Sequence, residues 1–308
     1  MSMVEPVGGF EQFVKFVTDA AGLERILRWL QALAQVLIFV APARAAALYT
    51  VSSLSSVACT LSPAWCSSST SGQSAAAGYP ALLSVEVLQR LRASCALTRR
   101  YFRLFRFFEA FGAAWTLYTS FVASPAGSTM KSLEMWLAIS GRSFNGMYLL
   151  LESLTFIEGL GVEGLDGPWG AERAAMLRIE ANRFWFFSLL CGIIVGGLRL
   201  VGLYRAQDRV SDSKSEKKGI DEKGSDSAVA TELEKRKKKE MKDEARKILR
   251  RLTADVLDIS VPGSVVGWSP LSPGPVGVLM LGSTALTGLE VWDRCGKELE
   301  DSRGVRAI

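Results

Sequence analysis

Phe184–Tyr204 reads FWFFSLLCGIIVGGLRLVGLY, 21 residues that carry one charge, Arg199. It is the apolar half of a helical candidate that starts at Glu172, and about 20 apolar residues are what a helix needs to cross a hydrocarbon core. Trp185 and Tyr204 stand at its edges, where an interfacial aromatic belt would put them. Arg199 lies near one end, within reach of the interface. Gly192, Gly196 and Gly197 form a small-xxx-small face suited to close helix packing. The stretch is a membrane span or the buried helix of an α bundle.

Moving outward, the rest of the chain keeps this helical character. Of 308 residues, 49% are hydrophobic, and the mean hydropathy is +0.20. Soluble domains average lower, so the balance favours a membrane or another large apolar partner. A net charge of +5 and a pI near 9.0 suit anionic lipid and nucleic acid alike. Residues 205–245, with the run Lys235, Arg236, Lys237, Lys238, Lys239, are expected to be a charged linker, disordered or a solvated helix. Beyond it, 246–308 forms a last membrane-associated region, in which Val276–Trp292 is a shorter second candidate span whose start is set by prolines.

Toward the N terminus, apolar residues recur at helical spacing from Phe10 to Val40, which predicts an amphipathic helix or a helical pair jointed at Gly22. Residues 41–80 are rich in Ala and Ser, lack a period and read as a loop, a low-complexity insert or non-native sequence such as a translated intron. Helical pattern returns over Leu82–Phe121 and again over Lys131–Ile157, and Gly159–Gly170 is a turn-rich connector. Alternating strand pattern is almost absent. The expected fold is mostly α, a membrane-associated helical bundle with amphipathic helices and one or two transmembrane helices. Residues 1–204 form its N-terminal region.

Within that region, Arg90–Glu109 reads RLRASCALTRRYFRLFRFFE. At 100° per residue, Arg92, Arg99, Arg100, Arg103 and Arg106 cluster on one side of a helix. Leu91, Leu97, Tyr101, Phe102, Leu104, Phe105 and Phe108 fill the other, with Arg90 and Phe107 as misfits. Such a helix lies in a headgroup layer, its rings in the acyl boundary and its arginines on phosphates, each Arg contributing on the order of 1 kcal/mol on an anionic leaflet. Wedging one leaflet favours curvature. An aromatic stripe packed into a protein core would show the same pattern. Basic residues interleaved with aromatics also suit nucleic acid, but no module fingerprint accompanies them, and no nucleic-acid partner is expected.

The chain has no histidine, which removes the commonest general base and metal ligand. Cys59, Cys66, Cys95, Cys191 and Cys295 show no CxxC pairing, so free thiols are expected rather than a disulfide framework or zinc site. Gly159, Gly161 and Gly164 match GxGxxG, but a helical pattern precedes them and Asp166-Gly167-Pro168 follows, so the dinucleotide fingerprint lacks its strand and its helix start. No Walker A, HExxH or GxSxG motif occurs. Glu152, Glu180 and Asn182 are the polar residues near the membrane helices, and helix–helix hydrogen bonds explain them. No catalytic residue, cofactor or metal is expected. The opening residues lack a basic n-region, which predicts no secretory signal. The final Arg-Ala-Ile is no Ser-Lys-Leu-type matrix address, so internal targeting information is expected.

Several blocks resemble the peroxisomal biogenesis factor 11 family, particularly its fungal branch: DAAGLERILRWLQALAQV, RRYFRLFRFFEAF, SGRSFNGMYLLLESLT, GPWGAERAAMLRIEANRFWFFSLLCGI, LTADVLDISVPGSVVGW and VGVLMLGSTALTGLEVWDR. The resemblance implies a protein of the peroxisomal membrane that remodels and elongates it before fission. It places lipid binding on the Arg90–Glu109 helix, and implies self-association and recruitment of fission machinery. A metabolite-permeation channel is the alternative. The positive-inside tendency puts the 205–251 loop in the cytosol, whereas the family's usual topology puts it in the matrix.

Overall fold

The computed structural model describes residues 8–61, 85–124, 127–160, 167–217 and 227–306, with side chains over 8–40, 85–124, 127–160, 167–205 and 235–303. Among these residues every regular element is an α-helix: α1 Gly9–Thr18, α2 Ala20–Leu61, α3 Val85–Arg103, α4 Arg106–Ala123, α5 Thr129–Leu154, α6 Phe156–Leu160, α7 Gly170–Lys217, α8 Ser227–Asp258, α9 Ser260–Val266 and α10 Pro273–Arg306. The fold is mostly α, as expected. Two helices, within Gly170–Arg205 and Pro273–Arg303, are long and apolar enough to cross a membrane.

Several boundaries differ from the pattern read in the sequence, each for a local reason. The N-terminal joint falls at Asp19 rather than Gly22. Asp19 is extended (φ −78°, ψ 133°), and its Oδ2 accepts from the Gly22 amide at 3.1 Å, an N-cap for the first turn of α2. Gly22 serves close packing instead: a Cβ there would stand 1.9 Å from the Phe16 carbonyl oxygen. The Ala/Ser-rich stretch expected to be a loop is helical as far as Leu61, because alanine is the strongest helix former even where no amphipathic period marks the helix. Residues 62–80 of that stretch lie outside the described residues, as do 161–166 of the connector and 218–226 of the charged linker. Pro273 and Pro275 fall in the first turn of α10, where a missing N–H costs little, so prolines set the start of this helix as expected, at Pro273 rather than Val276.

The chain divides into two compact units, Met1–Phe102 with Pro270–Thr284 and Val291–Ile308, and Arg103–Ser269 with Ala285–Glu290. In the first unit α1 and α2 run along α10. Gln12 donates to the Trp292 carbonyl at 2.9 Å and Gln35 to the Pro273 carbonyl at 2.6 Å. Asp19 pairs with Arg294 at 2.6 Å and Lys15 with Glu298 at 3.3 Å, and Arg303 pairs with Glu11.

The second unit is built on α5 and α7. Tyr148, Leu149 and Ala181 are its buried centre, with Phe107, Ala110, Phe184 and Trp185 packed around them. Tyr148 stacks on Trp185 at 5.3 Å. Close approach of α4 and α5 requires Gly146, where a Cβ would meet the Phe111 ring at 2.7 Å. Gly267 ends α9 in the left-handed region (φ +85°), and the Trp268 and Ser269 amides close on the Gly263 carbonyl at 2.9 and 3.0 Å. Glycine is the residue that adopts this cap without a Cβ clash. The turn carries Trp268 edge-on to Phe186 at 4.9 Å.

Candidate membrane-contact site

The single helix expected over Arg90–Glu109 is two helices that part at Leu104–Phe105. An unbroken helix would send the Phe108 amide to the Leu104 carbonyl. Instead it bonds the Phe105 carbonyl at 3.2 Å. The Leu104 carbonyl thereby released accepts the Ser153 hydroxyl of α5 at 2.5 Å. A partner on a neighbouring helix offsets the lost bond, and no sequence period could report it.

On α3, Arg92 is exposed and Arg100 half-buried, whereas Arg99 is 7% exposed. Its guanidinium donates to Gln31 Oε1 at 2.8 Å and lies 3.9 Å from the Glu24 carboxylate, both on α2. Arg103 pairs with Glu152 of α5 at 2.8 Å, the two side chains being about one-eighth exposed. It lies over the Tyr148 ring at 5.7 Å, and Tyr148 donates to the same carboxylate at 3.3 Å. Arg106, on α4, is half-exposed and 3.5 Å from Glu109. Two of the five arginines thus bind protein carboxylates inside the fold.

The apolar residues divide the other way. Phe102 on α3, Phe105 at the break and Phe108 on α4 are exposed, Phe105 and Phe108 to 69% and 68%, and Leu104 is half-buried. On α4 the exposed face runs on through Trp115, Tyr118 and Val122. Tyr118 lies 6.3 Å and Phe121 5.5 Å from Trp136 of α5, itself about half exposed. This aromatic patch was not singled out in the sequence. The spacing of Phe108, Trp115 and Val122 on a helix uncharged beyond Glu109 is the signal that could have found it.

In the apolar half of α7, Leu189, Cys191 and Val195 are buried, and the rest of the run is at most partly covered by the protein. Phe187, Leu190, Ile194 and Val201 form one exposed stripe. Its glycine face is occupied within the chain: a Cβ on Gly196 would stand 2.9 Å from Leu252 and one on Gly192 3.0 Å from Asp255, both on α8. Arg199 bonds Glu134 of α5 at 2.6 Å.

Among the polar candidates, Glu152 holds Arg103, Glu180 pairs with Arg183 at 2.6 Å, and Asn182 donates to the Arg178 carbonyl at 2.8 Å. Cys95, Cys191 and Cys295 are free and buried. Burial pushes the Cys95 thiol up, with Arg99 acting against it. Cys59 and Cys66 lie outside the residues whose side chains are described. Among the described residues no three His, Cys, Asp or Glu side chains gather as metal ligands.

What the arrangement can do is place bulky apolar side chains in a lipid layer beside positive charge. No curated protein and no solved structure matches the chain. The model of the family described as peroxisomal biogenesis factor 11 matches residues 73–292, from ahead of α3 to the middle of α10. With more than half its length matched, the chain belongs to the peroxisomal biogenesis factor 11 family, and it is a peroxisomal membrane protein of peroxisome biogenesis.

Proposed function

We propose that the protein remodels and elongates the peroxisomal membrane, inserting the exposed aromatic residues of the α3–α4 stretch into one leaflet while α7 anchors the chain. The observation that carries this reading is the exposure of Phe105 and Phe108 beside Arg106, with Arg100 and Arg92 earlier in the same stretch of sequence. Burying a Phe side chain contributes roughly 1.5–3 kcal/mol, and each nearby Arg on the order of 1 kcal/mol on an anionic surface. Arg99 and Arg103, engaged inside the fold, hold the stretch in place. Anionic lipids are the partner. Self-association, which would concentrate the wedge, and contact with fission machinery belong to this reading by family resemblance, and the sequence blocks quoted above support placing the chain in the fungal branch.

The test uses the full chain and anionic vesicles. Replacing Phe105 and Phe108 with Ser should remove tubulation and weaken binding on the order of 100-fold or more, since about 3 kcal/mol or more of burial is lost. Replacing Arg92, Arg100 and Arg106 with Gln should weaken binding about 100-fold at low salt. Tubulation that survives both sets of changes would show that another surface bends the membrane.

A further inference from the structure

α8 carries a pattern that neither the family match nor the α3–α4 stretch explains. From Lys235 to Arg251 it has ten basic and three acidic residues. On the helix, Lys235, Lys238, Lys239, Lys242 and Arg246 stand at i, i+3, i+4, i+7 and i+11, within about 100° of one face, and all five are exposed. The acids Glu240 and Glu244 fall on the opposite face, while Asp243 lies beside the stripe and pairs with Arg246 at 3.6 Å across exposed surface. The same stripe then changes chemistry. Its next members are Leu249, Thr253 and Val256, all exposed, the Leu to 51% and the Val to 47%.

The point of change has a counterpart on α7. Gly196 faces Leu252 and Gly192 faces Asp255, so the two helices run antiparallel. At 1.5 Å per residue on each, Leu249 stands level with Arg199 and Glu244 with Tyr204. The stripe therefore turns from cationic to apolar at the level where the apolar run of α7 ends in its aromatic edge. Two helices mark one boundary by independent features. On the apolar side of it, Arg251, itself exposed, pairs with the buried Asp255 at 3.4 Å and with the exposed Glu290 of α10 at 3.6 Å. Pairing of this kind is how ionisable groups at membrane depth are accommodated.

We propose that Lys235, Lys238, Lys239, Lys242 and Arg246 form a basic collar that binds the anionic headgroups of the leaflet at the Tyr204 end of α7. The collar is a lipid contact separate from the α3–α4 stretch, and it rests on α7 crossing the membrane. Arg246 and Lys242 reach the headgroup layer itself, and the residues toward Lys235 lie progressively further out, over about a Debye length. The collar fixes the depth of the α7–α8 hairpin and makes it sensitive to lipid charge.

Hydrogen exchange of the full chain tests this in vesicles of phosphatidylcholine alone and of phosphatidylcholine with phosphatidylserine. Amides 235–247 should exchange several-fold more slowly in the anionic vesicles, most strongly near Arg246, and the difference should vanish near 0.5 M salt. Lys238→Gln, Lys239→Gln and Lys242→Gln together should remove it while the Leu189–Val201 amides stay protected in both lipids. Equal exchange of 235–247 in the two lipids overturns the collar, whether it is fast in both or, through docking on protein, slow in both. Rapid exchange of Leu189–Val201 in both lipids overturns it through the span, leaving the α3–α4 proposal standing.

Discussion

α3 and α8 are both arginine- and lysine-rich helices, and the fold treats their charges oppositely. On α3, Arg99 is drawn inward by Gln31 and Glu24, while Tyr101 and Phe102 face out. At the last residue of the helix, Arg103 is held by Glu152. On α8 the lysines face out, and the inward side is Ala254, Asp255 and Asp258. The difference lies in what the facing helix offers. α2 and α5 present carboxylates to α3 and its end, whereas the contacts described between α7 and α8 are those of glycines, Gly196 against Leu252 and Gly192 against Asp255. A cation-rich helix is therefore a lipid binder or a structural strut according to its neighbours, and composition alone does not separate the two.

The comparison breaks most readily at Arg103. Arg103→Ala leaves the Glu152 carboxylate, which also accepts from Tyr148, without this cation in a largely buried place, and should cost about 3–5 kcal/mol in denaturant unfolding of the detergent-solubilised chain. Replacing both Arg103 and Glu152 with Met should restore most of that stability. A loss under about 1 kcal/mol for the single change would class the pair with screened surface pairs and erase the contrast with α8.

A smaller effect is expected at these glycines. Gly196→Leu has to displace Leu252, whose Cδ1 lies 2.9 Å from where a Cβ on residue 196 would stand, and overpacking of this kind costs about 1–3 kcal/mol. Unfolding should register that loss, and crosslinks placed between α7 and α8 should weaken with it. Unchanged stability would mean that α8 is not seated on α7 by its glycines. Smallest of all, Lys239→Gln should leave unfolding within about 0.5 kcal/mol of the parent, because an exposed lysine binds little within the fold. A larger loss would show that the stripe is structural, as Arg103 is.

Much of this architecture was legible in the residues. The long apolar run of α7, the helical periods flanking it and the VPGSVVGW block are local signals, and local propensity dominates where a helix has one apolar face or one obligatory glycine. The site was legible in part. The wheel placed aromatics opposite arginines, and Phe102, Phe105 and Phe108 are exposed, but it treated five arginines as equivalent. Arg99 and Arg103 differ from Arg92 because Glu24 and Glu152 lie 75 and 49 positions away along the chain, beyond what any helical period reports. The break at Leu104–Phe105 was hidden for the same reason, since its compensating donor is Ser153.

That the chain is helical, that one or two of its helices are apolar enough for a bilayer, and that no histidine chemistry is open to it follow from residue types and from periods of a few residues. Which charges are used up inside the protein and which face outward is a matter of tertiary packing. That depends on carboxylates, hydroxyls and glycines brought alongside from distant segments, and the energy of a charge is set by its nearest partners rather than by its neighbours in the chain.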